Sequence, residues 1–273
     1  MSITAESFAF VADLVRRRSG IVLETGKEYL VEGRLRPLAR AAELADVDTY
    51  VRALRADPRP SRLESVVAAL TTNETSWFRD LEPFRALVDH VLPELLAHRP
   101  MDTIRVWSAA CSTGQEPYSI AMVAADVVPA GRLRILATDL AEDVLERARR
   151  GRYTQLEINR GLPAAHLVRF FRRAGADWEV VPEVRAQVAF QRHNLLDAAP
   201  AGGPFDVVFL RNVLIYFDLA TKQAVLDRVR RTMRPGGYLV LGAAETTIGV
   251  DDGWERVPVG RGALYRTPAR RAA

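Results

Sequence analysis

Two acids stand where a carboxylate has chemistry available to it. The run Val106-Trp-Ser-Ala-Ala-Cys-Ser-Thr-Gly-Gln-Glu-Pro-Tyr-Ser119 leads an apolar segment into a turn at Gly114 and then into a helix whose first turn carries Glu116. A glycine turn after the first strand of an α/β sheet is where a nucleotide-like cofactor meets the carboxyl edge. The dinucleotide pattern G-x-G-x-x-G is absent and there is no P-loop lysine, which argues against NAD and ATP. A carboxylate at Glu116 suits the cationic end of a cofactor carrying an amino group and a sulfonium, as S-adenosylmethionine does. An acid in a first helical turn also complements the helix dipole, so Glu116 fits either role. The second acid, Asp139, closes the run Ala137-Thr138-Asp139-Leu140 some twenty residues on, where it is placed to accept hydrogen bonds from ribose hydroxyls or, alternatively, to cap the next helix. Further along, Asn194 offers an amide for an adenine edge and Leu195 a cover for its face. Arg211, Asn212 and Tyr216 interrupt the otherwise apolar Phe209 to Phe217, which favours function over packing.

The elements that must position these residues follow from periodicity. Phe8, Val11, Leu14 and Val15 share one helical face, and Leu63, Val66, Val67 and Leu70 another; residues 5–70 show no strand signal. From Asp80, a candidate N-cap, the apolar positions Phe84, Leu87, Val88, Val91, Leu92 and Leu95 predict one long amphipathic helix joining two halves. After Pro100, short apolar runs alternate with helices: Ile104–Trp107, Leu133–Ala137, Val188–Phe190, Phe205–Leu210 and Tyr238–Leu241. Runs buried on both faces predict a parallel sheet in an α/β layer fold. Trp254–Val259 and Ala263–Arg266, joined through Gly260-Arg261-Gly262, add an antiparallel hairpin, a shape shared by many methyltransferases. About fifty residues separate the second and third runs where a crossover needs only a dozen or more. Residues 153–186 therefore read as an inserted subdomain, with a hairpin at Ala174-Gly175. The expected domains are a helical N-terminal domain (1–79), a joining helix (80–100), and an α/β domain (101–273) containing the insertion.

Taken in order, Asn73-x-Thr75-x-x-Phe78-Arg79, the Trp107–Ser119 run, Ala137-Thr-Asp139, Asn194-Leu195 and Arg211-Asn-Val-Leu-Ile-Tyr-Phe-Asp218 closely resemble the CheR family of chemotaxis protein-glutamate O-methyltransferases. The resemblance extends into the helical part through Gly20-Ile21, Lys27 and Tyr29-Leu-Val-Glu-Gly-Arg34-Leu. It implies a Rossmann-like class I methyltransferase sheet with a small inserted β-subdomain, preceded by an all-helical domain. It also implies methyl transfer from S-adenosylmethionine to glutamate side chains of chemoreceptors, giving glutamyl methyl esters and S-adenosylhomocysteine. By the same resemblance the cofactor contacts are Asn73, Thr75, Arg79, Glu116, Asp139, Asn194, Leu195, Arg211 and Asn212. The insertion and the helix bearing Arg34, Arg36 and Arg40 become receptor-facing surfaces. Arg79 and Tyr216 are candidates for orienting the substrate carboxylate, Arg79 alternatively for holding the cofactor alone. Departures are Gln115 for a frequent Glu, Trp77 for a usual Phe, Gly242-Ala-Ala-Glu245 without the usual His-Ser, and Pro37, expected to break or kink the basic helix. The short hairpin resembles members that do not dock on a receptor's C-terminal pentapeptide.

Composition is consistent with this reading. At 48% hydrophobic and 26% charged the chain has an ordinary globular core, which excludes a disordered or collagen-like protein. The lone Cys111 makes no internal disulfide, and four scattered histidines lack zinc-ligand spacing, so no metal is expected. Even Ile120 to Val128 is interrupted by Asp126, and no basic-then-apolar leader opens the sequence; the expectation is a cytoplasmic protein without membrane insertion, and a monomer. The net charge of +4 is local: residues 141–192 hold ten Arg against seven acids, and Arg266, Arg270 and Arg271 crowd the tail. That surplus suits acidic receptor helices. A nucleic-acid methyltransferase should carry an Asp/Asn-Pro-Pro-Tyr-like run where this chain has Arg211-Asn-Val-Leu, so no nucleic-acid partner is expected. A non-catalytic S-adenosylmethionine-binding scaffold would carry the same binding residues; turnover separates the two.

Overall fold

The computed structural model describes residues 3–260 and 262–269, so Arg270 and Arg271 of the basic tail lie outside the described residues. The chain forms two compact units, Met1–Thr72 with Tyr216–Thr221, and Asn73–Ile215 with Lys222–Ala273.

The helical unit contains α1 (Ala5–Ser19), α2 (Glu28–Ala41), α3 (Val47–Ala56) and α4 (Pro60–Leu70). The faces expected from periodicity are the buried ones: Val11 and Val15 on α1 and Val66 on α4 have no exposed surface. Thr4 and Asp46 cap α1 and α3 by accepting backbone N–H groups from Ser7 and Thr49. Pro37 does not break α2, which continues through it. The ring would collide with the carbonyl four residues back, and that residue is Gly33, whose backbone has the freedom to give way. Arg34 is half-buried and donates to the Thr71 carbonyl and the Thr72 hydroxyl, Arg36 pairs with Glu32, and Arg40 is exposed. Arg34 thus ties α2 to the end of α4.

In the second unit the long helix expected from Asp80 is present as α5 (Glu82–Ala86), a π-helical turn (Leu87–Val91) and α6 (Leu92–His98), which follow one another without a break. The π geometry comes from Pro93: it has no N–H to give the Asp89 carbonyl, and Leu92 N–H bonds the Leu87 carbonyl five residues back. This helix is not a joint. Phe84, Leu87, Val91 and Leu92 are buried in one core with Val106, Val207 and Phe209 of the sheet. The boundary expected at residue 79 falls at 72/73, because Trp77 and Phe78 belong to that same core.

The sheet follows as β1 (Ile104–Ala109), α7 (Gln115–Ala124), β2 (Leu133–Asp139) and α8 (Glu142–Arg150), then the insertion with β3 (Arg152–Tyr153), α9 (Gln155–Ile158), α10 (Ala164–Phe170), β4 (Phe171–Ala174), β5 (Asp177–Val180) and α11 (Pro182–Arg185). β6 (Val188–Arg192), β7 (Phe205–Leu210), α12 (Leu219–Thr232), β8 (Met233–Leu241), β9 (Glu255–Val259) and β10 (Gly262–Arg266) complete it. Seven strands lie in the order β6-β2-β1-β7-β8-β10-β9; the first five are mutually parallel, and the last two pairings, β8 with β10 and β10 with β9, are antiparallel. Register places Ala109 beside Thr138 on one side and Leu210 on the other, so β1, β2 and β7 end together at one edge. The insertion is a separate antiparallel sheet, β3-β5-β4. Its hairpin across Gly175 is as expected; β3 was not, since two residues are too few to show alternation. Among the described residues no helix is long and apolar enough to cross a membrane.

Candidate active site

The loop from Ala109 into α7 is built under backbone strain. Ala110 and Ser112 hold positive φ (64° and 51°), and Gly114, at 94°, precedes α7. A side chain at Gly114 would come within 2.9 Å of the Ala148 Cβ and 3.0 Å of the Tyr153 hydroxyl, so the glycine is demanded first by α8 and the insertion. Tyr153 donates to the Thr113 carbonyl at 2.8 Å, which ties β3 of the insertion to the turn.

Asp139 holds this loop from the tip of β2. Its Oδ2 accepts the Ser112 N–H at 2.8 Å and its Oδ1 the Ala141 N–H at 3.1 Å, a local Asx turn, while the residue at the N-cap of α8 is Ala141. Capping by Asp139 is therefore not what the structure contains. Burial pushes its carboxyl above the usual range, with the two N–H donors pulling against that. Ser112 in turn donates its hydroxyl to the Asn73 carbonyl at 2.7 Å, bringing the 73–80 segment to the same edge.

Arg211, at the end of β7, organises the rest. Its side chain is 2% exposed. Nη1 donates to Glu116 Oε2 at 3.0 Å, and Nη2 to the Arg79 carbonyl and Asp80 Oδ2, each at 2.7 Å. Glu116 also accepts the Ser108 hydroxyl at 2.8 Å. Burial raises the Glu116 carboxyl; the Arg211 cation opposes the shift. Arg211 thus acts between an acid and the segment bearing Arg79, whose own Nη1 reaches the Glu74 carbonyl at 3.2 Å. Phe78, Asp80 and Leu81 all hold positive φ, so this segment is kept in shape by its partners: Trp77 N–H to the Arg160 carbonyl, Phe78 N–H to the Ser119 hydroxyl, and the Trp77 ring set edge-on against Tyr153 and Phe171.

The structure brings Asn73, Arg79, Glu116, Asp139, Arg211 and Asn212 to one sheet edge, with Thr75 half-buried in the 73–80 segment. Asn194 and Leu195 follow β6, where His193 N–H donates to the Asp139 carbonyl; Asn194 Oδ1 accepts the Leu196 N–H, and the Leu195 carbonyl accepts Arg228. Tyr216 instead clusters with the helical unit, where its carbonyl accepts the Val22 N–H at 2.9 Å, Phe217 pairs with Ile21 and Asp218 with Arg16. Two residues that matter here were not singled out as site residues. In the sequence Asp80 reads as a cap and Glu245 as the end of a departing tetrapeptide; no spacing rule links either to Arg211 or Asn212. Cys111 is packed beneath the loop, and burial together with the charges of Asp139 and Glu116 pushes its thiol well above the usual range.

The donor set fits S-adenosylmethionine. Two carboxylates, Glu116 and Asp139, each accept one protein donor on each oxygen and keep further lone pairs for a ligand, and the buried Arg211 Nε has no partner among the described residues. Glu116 would face the cofactor's cationic end and Asp139 its ribose. A parallel sheet with an antiparallel terminal hairpin, strained turns at its carboxyl edge and this donor set define an S-adenosylmethionine-dependent methyltransferase. Residues 73–261 match the family model for the CheR methyltransferase SAM binding domain, and residues 6–71 that for the CheR methyltransferase all-alpha domain. The chain belongs to the CheR methyltransferase family. It is 42% identical over 259 residues to the chemotaxis protein methyltransferase Cher2 of Pseudomonas putida, covering 92% of this chain and 94% of that one. Chemotaxis protein methyltransferase 1 of Pseudomonas aeruginosa is 40% identical over 97% of this chain and 99% of its own length. The Escherichia coli chemotaxis protein methyltransferase is 36% identical over 90% and 86%.

Proposed function

We propose that this enzyme methylates glutamate side chains on the cytoplasmic helices of chemoreceptors, forming γ-glutamyl methyl esters. The observation that carries the reading is the joint match of the all-alpha and SAM-binding models along one chain, in the order of the chemotaxis methyltransferases it resembles. When bound, S-adenosylmethionine supplies an activated methyl on a sulfonium. The acceptor carboxylate is already ionised at neutral pH, so no general base is required. The protein's contribution is placement, with the reacting atoms held about 3–3.5 Å apart in a site that sheds water. Arg79 is our candidate for orienting the acceptor carboxylate because its guanidinium bonds only a carbonyl among the described residues, whereas Arg211 is committed to two acids. Tyr216 is proposed as a second orienting group. Asn73, Thr75, Asn194, Leu195 and Asn212 are proposed cofactor contacts.

For the receptor face, the arginines at 147, 149, 152, 160, 169 and 185 are ion-paired within the molecule. Arg172 and Arg173 are not among these pairs and are exposed on β4, an edge strand, facing opposite sides. They are the proposed contacts for an acidic helix. Incubation with methyl-labelled cofactor and receptor membranes should give label released as methanol by mild alkali, since esters hydrolyse and N-methyl groups do not; alkali-stable label refutes the glutamate assignment. In the same assay, neutralising Arg172 and Arg173 should flatten the salt dependence of the rate, and an unchanged dependence removes β4 from the receptor face.

A further inference from the structure

The loop that follows β7 has to do two opposed things within two residues. Arg211 turns inward to Glu116 and Asp80, and Asn212 turns away with φ of 58°, a conformation few non-glycine residues adopt. Three successive backbone N–H groups, of Asn212, Val213 and Leu214, then leave the sheet with no strand to receive them. All three converge on one side chain. Glu245 Oε2 accepts from Asn212 at 2.7 Å, and Oε1 accepts from Val213 at 2.9 Å and Leu214 at 2.8 Å. Oε2 also accepts the N–H of Gly242 at 2.8 Å. Four donors on two oxygens suit a carboxylate, whereas a carboxamide would turn its NH2 toward two of them. The clamp also explains Gly242: a Cβ there would lie 2.7 Å from Glu245 Oε2 and 2.8 Å from Asn212 Nδ2.

We propose that Glu245 is a positioning residue for the cofactor, acting through the backbone of residues 212–214 to fix Asn212 and, beside it, Arg211. This rests on the placement of S-adenosylmethionine at the β1/β2/β7 edge. Glu245→Gln removes the charge with little change in shape; Gly242→Ala keeps the charge and crowds it. In either variant S-adenosylhomocysteine binding, measured by calorimetry, should weaken about tenfold or more, since a displacement near 1 Å at a binding group carries losses of that order. The KM for the methyl-accepting receptor should stay within about twofold of the unaltered enzyme, which general loosening of the fold would not permit. The losses in Gly242→Ala/Glu245→Gln should fall short of the product of the single losses, because both act on one clamp. If Glu245→Gln does not fold, Gly242→Ala decides. Near-normal S-adenosylhomocysteine affinity in a folded variant, or parallel rises of both KM values, overturns the proposal. If the unaltered protein fails to bind S-adenosylhomocysteine at all, the cofactor placement fails, and the proposal with it.

Discussion

Arg211→Met tests whether the buried guanidinium is what holds the site together. Methionine fills much of the same volume without charge, so the substitution leaves Glu116, whose side chain is 13% exposed, facing Asp80 with no cation between them. Breaking a buried pair by removing one partner costs about 3–5 kcal/mol. Asp80, at 39% exposure, is partly relieved by solvent, so nearly all of that loss sits on Glu116. For a unit of this size the corresponding drop in Tm is roughly 10 °C. The loss should also depend on pH with a definite sign. Burial already raises the Glu116 carboxyl and Arg211 opposes it, so removing Arg211 raises it further. A carboxyl raised in the folded state contributes stability that is present below its unfolded value and lost as pH rises through its folded value. The deficit of Arg211→Met should therefore be smallest at acid pH, where Glu116 is protonated in both states, and grow as pH rises above the ordinary glutamate range. Thermal melts followed by circular dichroism at several pH values in low salt measure both quantities. A deficit below about 1 kcal/mol, or one of equal size at every pH, would refute the reasoning.

Two further substitutions probe the parts that Arg211 connects. Asp139→Ala removes the acceptor for the Ser112 and Ala141 N–H groups and the proposed ribose contact; calorimetry should show cofactor affinity falling by about tenfold or more, and undiminished affinity rejects the ribose role. Gly161, at φ 99°, faces the Trp77 carbonyl so closely that any Cβ collides with it. Gly161→Ala should push the 73–80 segment off its seat and lower kcat/KM about tenfold while the far-UV spectrum is retained; an unchanged kcat/KM shows that the insertion does not support that segment.

Much of the architecture was legible because burial leaves a periodic mark. The apolar strand runs gave the five parallel strands and the closing hairpin, and the helical faces of residues 5–70 gave the N-terminal bundle. The failures are local and have physical causes. Pro37 sits inside a helix that continues past it, and Pro93 gives a turn of the next helix π geometry. Asp80 looked like a helix cap because caps and ion-pair partners draw on the same side chains; only its place beside Arg211 separates the roles.

By themselves, the ordered motifs determined the family, since residue type and spacing along one chain are what a motif records. Which residues at the sheet edge hold each other was decided by tertiary structure alone. Glu116 and Arg211 are 95 positions apart, Asp80 and Arg211 131, and Glu245 reaches back more than thirty residues to three amides. Such pairings depend on strand order and register, which bring β1, β2 and β7 to a common edge, and on burial, which makes an unpaired charge there too costly to leave. Neither leaves a periodic trace in the sequence.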